Sequence, residues 1–199
     1  MPKAFSEAER EIIRAQMRAK GKKMFEKQGV KKTSVDELAQ AVGISKGAFY
    51  LFYESKEELF LDILEQLEQE IQSSILEYSI KPKANTKKNV SDMLKAFLLT
   101  RESYPLLKNF GKAEFEYLLR KVPPEWVMKH ANKDEEFIDQ FMQKIKKEGI
   151  AVKASPRVVS NLIKMLFFTG LYLEELGKEA YQETMDVMIN MVAGYIVGE

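Results

Sequence analysis

Residues 43–59 read GISKGAFYLFYESKEEL. Gly43 can supply the left-handed backbone of a tight turn without steric cost. Ser45 is a residue type that caps helix N-termini, and small or cationic residues follow it: Lys46, Gly47 and Ala48. Four aromatics, Phe49, Tyr50, Phe52 and Tyr53, come next, and Ser55-x-x-Glu58 then signals another helix start. Upstream, Ser34-x-x-Glu37 opens a short helix that must stop at Gly43. Ala39 is small enough for two helices to cross closely, while Leu38, Val42, Ile44 and Phe49 are spaced to point inward. The segment 35–53 therefore predicts a helix-turn-helix.

Such a motif carries its chemistry on the first turn of the second helix, which reaches base edges in the major groove. Here that turn is Ser45, Lys46, Gly47 and Ala48. The two small residues let the backbone come close, and Lys46 can donate to guanine or to phosphate. Tyr50 lies one turn on, with a hydroxyl suited to a phosphate. Lys56 opens the fourth helix beside backbone N–H groups, another place for a phosphate oxygen. Any helical hairpin can use a glycine like Gly43, and aromatics at helical spacing are usually core. The specificity lies in the conjunction.

Charge points the same way. The chain has 199 residues and a net charge of only +1. Residues 1–53 hold eleven lysines and arginines against six acids, a net of +5, which leaves −4 for the remainder. That asymmetry suggests a basic module meeting a polyanion.

Composition narrows the remaining classes. The absence of cysteine excludes disulfide scaffolds, cysteine-based zinc sites and thiol catalysis. His130 is the single histidine, which makes a metal site improbable. The sequence holds no phosphate-cradling glycine loop and no nucleophile elbow, and its acidic runs read as solvated helix faces. The expectation is a binding protein, not an enzyme, with no cofactor and no metal. The start, MPKAFSEAERE, lacks an apolar signal segment and no run is long enough to span a membrane. A cytoplasmic location with no membrane partner is expected.

The rest of the chain reads as helix. Ser6-x-x-Glu9 opens the first helix and Gly29 closes it. The helix after Ser55 carries Phe60, Ile63, Leu64, Leu67, Ile71 and Ile75 on one face. Pro82 breaks it and Asn85 offers a new cap. Further stripes follow around Val90–Leu98, Phe115–Val122 and Phe137–Ile145, punctuated by Pro105, Gly111, Pro123, Pro124 and Gly149. No window alternates with a period of two, so the fold class is all-α.

The last two helices, about 156–173 and 179–197, are apolar over more than one face. A second subunit is the simplest cover. Leu162, Leu166, Met185, Met188, Ile189, Val192 and Ile196 are the expected dimer-interface residues.

The stretch TSVDELAQAVGISKGAFYLFYESKEELF (33–60) resembles the DNA-binding segment of the TetR family of bacterial transcriptional regulators, and MFEKQG (24–29) resembles the end of that family's first helix. The resemblance covers the first quarter to third of the chain. It implies a three-helix helix-turn-helix domain at 1–54 and a helical ligand-binding and dimerisation domain at 55–199. By motif position it assigns phosphate contacts to Thr33, Tyr50 and Lys56, and base or groove contacts to Ser45, Lys46, Gly47, Ala48 and Leu51. The family usually ends this helix with Tyr or His and then a core Phe, whereas here the order is Phe52-Tyr53. Either Tyr53 takes over that phosphate contact or the contact is lost; Phe52 reads as core.

Family members commonly repress transcription as homodimers on palindromic double-stranded DNA and release it when a small molecule binds. The expected effector-pocket wall is aromatic: Phe97, Phe110, Phe115, Trp126, His130, Phe137, Phe141, Phe168 and Tyr172. Trp126 and His130 stand out because they follow the Pro123-Pro124 break. The rival reading is a helical ligand-binding or adaptor protein that does not bind DNA.

Overall fold

The computed structural model describes residues 5–77, 86–171 and 177–199. Within them lie ten helices and no strand: α1 (Glu7–Lys32), α2 (Val35–Val42), α3 (Lys46–Phe49), α4 (Lys56–Glu77), α5 (Thr86–Ser103), α6 (Pro105–Lys108), α7 (Lys112–Leu119), α8 (Pro124–Lys147), α9 (Pro156–Leu171) and α10 (Lys178–Val197). The predicted cap Asn85 falls outside the described residues.

The capping signals act as read. Ser6 Oγ accepts from the Glu9 amide while the Glu9 carboxylate accepts from the Ser6 amide at 2.8 Å. Ser34 and Glu37 repeat that box at the start of α2. Gly29 breaks α1 with φ 77°, and Gly43 ends α2 in the left-handed region at φ 78°. A side chain at Gly29 would be strained and would also run into the Glu114 carboxylate of α7.

The described contacts divide the chain into two compact units. The first comprises Met1–Glu70 together with Tyr104–Val122; the second comprises Ile71–Ser103 and Pro123–Glu199. This differs from the boundary at 54/55 expected from the sequence, because α6 and α7 pack against α1 and the start of α4. Phe110 stacks on Phe60 with centroids 5.9 Å apart, and Phe60 meets the edge of Phe25 at 5.4 Å. Asn109 Nδ2 donates to the Glu26 carbonyl at 3.0 Å. The Tyr117 hydroxyl donates to the Glu57 carboxylate.

In the second unit α5 and α10 run antiparallel, matched every four residues. Lys87 lies over Gly194, where an added Cβ would stand 3.2 Å from its ammonium. Ser91 Oγ donates to Asn190 Oδ1 at 2.8 Å, and Lys95 pairs with Asp186 at 2.9 Å. Lys164 joins α9 to Asp134 of α8 at 3.1 Å. The core between these helices includes Val90, Leu94, Phe137, Phe141, Ile145, Val159, Leu166, Ile189 and Ile196.

That core takes up most of the residues expected at a dimer face. Leu166, Met185, Ile189, Val192 and Ile196 are buried within the protomer, and Leu162 and Met188 pack partly against them. The exposed apolar side chains of α9 and α10 are instead Val158, Met165 and Phe168, and Val187, Met191 and Tyr195. Spacings of seven and three residues on α9, and of four on α10, make each set one helix face. The periodicity located the stripes, but each helix has two, and the larger one serves its own core.

Gly21 marks where α1 crosses α4 and α2. An added Cβ there would lie 3.2 Å from Leu59 Cδ2 and 3.3 Å from Ile63 Cδ1. Gly21→Leu should overpack this crossing and lower stability by about 1–3 kcal/mol, read as a shifted urea midpoint at unchanged m-value.

Candidate nucleic-acid interface

Residues 44–53 separate into two faces. Phe49 is 0% exposed and Phe52 and Tyr53 are buried, whereas Tyr50 is 50% exposed and Leu51 lies beside it in solvent. Ser45, Lys46 and Gly47 are exposed on the first turn of α3, and Ala48 is half-buried. Ser45 Oγ accepts from the Ala48 amide at 3.1 Å, which caps the helix. Nothing crowds Gly47, where an added Cβ would find only Ser45 Oγ at 3.9 Å. The structure thus brings Ser45, Lys46, Gly47, Ala48, Tyr50 and Leu51 together around one short helix.

Three expected contacts do not join them. Thr33 is 1% exposed, and its hydroxyl donates to the Gly29 carbonyl at 2.8 Å. Thr33 therefore closes the α1 break. The Tyr53 hydroxyl donates to Asp62 Oδ2 at 2.6 Å, and Arg18 reaches the same oxygen at 3.4 Å. Burial first, and then the bond to Asp62, push the Tyr53 phenol well above its ordinary value. Phe52 is core, as read, lying under the Arg10 guanidinium at 5.5 Å. Lys56 donates to the carbonyls of Lys31 at 2.9 Å and Thr33 at 2.7 Å, so its ammonium caps the end of α1.

Other cations of the basic segment do similar work. Lys20 donates to the Ala41 carbonyl at the end of α2, and Arg10 to the Leu51 carbonyl at 3.1 Å beyond α3. Such contacts satisfy carbonyls that helix ends leave without partners. They keep the positive field of the segment, since a carbonyl does not neutralise an ammonium. They do fix where those cations point.

Lys46 has a different partner. Its Nζ donates to Asp36 Oδ2 at 2.7 Å, linking the first turns of α3 and α2. That hydrogen bond, followed by the carboxylate's charge, raises the lysine's pKa. Asp36 escaped the sequence reading because ten residues and a turn separate the pair.

The residues of the expected effector wall are distributed over both units. Phe110 and Phe115 belong to the first unit, where they meet at 6.4 Å against Phe60. Phe137 and Phe141 are core of the second unit, Phe97 is half-buried and Phe168 is largely exposed. Trp126 and His130 stack at 5.0 Å and 10° on the first turns of α8. Tyr172 lies outside the described residues. A groove of about 300 Å³ occurs elsewhere, between α1 and α4, lined by Ala15, Arg18, Ala19, Lys22, Ile63, Gln66, Leu67 and Glu70. Among the described residues no cluster of three or more His, Cys, Asp or Glu could hold a metal, and no helix is long and apolar enough to cross a membrane.

A capped, exposed helix following a left-handed glycine turn is a helix-turn-helix, and its sequence has relatives. Residues 18–63 match the family described as bacterial regulatory proteins, tetR family. The match is confined to this N-terminal segment, and the chain spans about a quarter of the length of the curated relatives it matches. Over 59 residues it is 41% identical to the HTH-type transcriptional regulator AcrR of Shigella flexneri; the match covers 30% of this chain and 27% of AcrR. Over nearly the whole length it shares a fold with a TetR-family regulator from Pectobacterium atrosepticum (TM-score 0.67, 18% identity, 97% and 98% of the two chains covered). It likewise shares a fold with SmeT, the repressor of the Stenotrophomonas maltophilia multidrug efflux pump SmeDEF (TM-score 0.59, 14% identity, 92% and 90% covered).

The two tyrosines should separate cleanly. Tyr53→Phe leaves Asp62 with a lost donor and should cost about 1–2 kcal/mol of stability, whereas Tyr50→Phe should leave thermal unfolding unchanged. Tyr53 and Tyr117 also set an alkaline limit. Burial, and then the bond to Glu57, push the Tyr117 phenol up to about 12. A raised pKa contributes stability that is whole below the unfolded value near 10 and is lost as pH rises through the folded one. Unfolding free energy should therefore be insensitive to these groups at neutral pH and fall between about pH 10 and 12, with the fall reduced in Tyr53→Phe.

Proposed function

We propose that the chain is a homodimeric, ligand-responsive DNA-binding regulator, a repressor that leaves a palindromic operator when a small, largely apolar molecule binds. The observation that carries this reading is the exposed first turn of α3, with Lys46, Gly47 and Tyr50 outward while Phe49 anchors it from beneath. The +5 charge of residues 1–53 supports it, since a positive field draws the segment toward a polyanion. The sequence match falls on this same segment.

Homodimerisation is favoured by the apolar faces that α9 and α10 leave exposed. Met165 and Phe168 on one helix and Val187, Met191 and Tyr195 on the other have the size and spacing of a helix-bundle interface. Two-fold symmetry would then present two copies of α3 to two half-sites, about 34–36 Å apart or a multiple of that. The effector reading rests on half-buried aromatics of the second unit, Phe97 and the stacked Trp126–His130 pair, and on the fold shared with SmeT. Trp126 is the sole tryptophan, so its emission reports directly on apolar compounds entering that region.

A gel shift against the chain's own promoter region, repeated between about 50 and 200 mM salt, tests the DNA reading. Affinity should drop with a slope near −0.9 per phosphate contacted, and salt-indifferent binding or none would favour the adaptor reading. Sedimentation tests assembly. Met191 is 69% exposed, so Met191→Lys should give a folded 23.0 kDa monomer with weakened DNA binding. Val192 is 5% exposed, and Val192→Glu should instead unfold the second unit by burying a charge.

A further inference from the structure

Lys46 is the one charged residue between Val42 and Glu54, so it is the recognition turn's entire charge. A lysine in that place has two uses on DNA. It can donate to guanine O6 and N7, which carries sequence information, or swing to any phosphate within reach, which carries none. A flexible four-carbon stem favours the second, because phosphates line every sequence.

The structure restrains that choice. Lys46 Nζ rests on Asp36 Oδ2 at 2.7 Å, with the two side chains 56% and 64% exposed. Asp36 lies in the first turn of α2, where the helix dipole favours its negative charge. The ammonium has three donors, so one can stay on Asp36 while two remain for base acceptors in front of the turn. A swing to phosphate breaks the pair and leaves the Asp36 carboxylate alone beside a polyanion. That exchange trades one anionic acceptor for another and adds a repulsion.

We infer that Asp36 is a specificity-determining positioning residue: by holding the Lys46 ammonium at the first turn of α3, it reserves that lysine for base edges and denies it to phosphates of non-cognate DNA. This inference rests on the DNA-binding reading and deepens it. Asp36 acts through Lys46 and needs no contact of its own with DNA.

The test uses the full-length protein and two duplexes, one selected from a randomised pool by the wild type and one of scrambled sequence. Asp36→Asn should raise affinity for the scrambled duplex and steepen its salt slope by about 0.9, one extra phosphate contact. The preference for the selected duplex should fall about tenfold. In a Lys46→Ala background the same substitution should change neither the preference nor the slope. Circular dichroism before and after substitution verifies that the exposed position leaves the fold intact. The inference is overturned if Asp36→Asn strengthens both duplexes equally, or if its gain persists without Lys46, since either result makes Asp36 a bulk repulsive charge. Failure of the wild type to bind or select any duplex overturns the DNA-binding reading itself, and this inference with it, before any variant is made.

Discussion

Everything presented by the recognition turn depends on the burial of Phe49. A four-residue helix cannot sustain itself, because nucleating a turn fixes several residues for very few hydrogen bonds. α3 therefore exists only as something held from below. Phe49 is fully enclosed and meets Tyr50 edge-to-face and Tyr53 at a tilt, at centroid distances of 5.6 and 6.1 Å. Phe52 under Arg10, and Tyr53 bonded to Asp62, pin the chain just beyond it. With that side anchored, Ser45, Lys46, Gly47 and Tyr50 have no course but outward. Burial of one face is what aims the other.

The same logic explains why the basic segment has more lysines than outward-facing contacts. Three helix ends in the first unit close on a long cation: Lys56 on the end of α1, Lys20 on α2 and Arg10 beyond α3. A charge-assisted bond to a terminal carbonyl also suits the negative end of the helix dipole. These side chains thus hold the helices in place while their charge still contributes to the field that DNA would feel. Asp36 and Asp62 complete the pattern. One orients the exposed lysine and the other collects Tyr53 and Arg18 inside.

The first unit is also larger than its helix-turn-helix. Phe60 needs Phe110 as much as it needs Phe25, and Glu57 needs Tyr117. Residues 104–122 return to cover α4 and the end of α1, so the helix-turn-helix and the helices that support it come from stretches separated by the whole of α5. A boundary drawn where the motif ends would leave that aromatic stack half-exposed.

The sequence alone determined the helices, their caps and the exposed face of α3, because each is written in local chemistry. Ser6 with Glu9, Ser34 with Glu37, the glycines at 29 and 43, and the small residues after Ser45 all act within a few residues of themselves. Tertiary structure decided the partners. Tyr53 and Lys56, assigned as phosphate ligands by resemblance, each turned to a carboxylate or carbonyl supplied by another element of the first unit, while Thr33 turned back to the Gly29 carbonyl four residues upstream. Val192 and Met191 are neighbours in an apolar run, yet one is core and the other is exposed. A stripe shows that a face must be covered, but which neighbour covers it depends on how helices far apart in the chain pack. Asp36 is the same case in miniature, since only the turn at Gly43 brings it to Lys46.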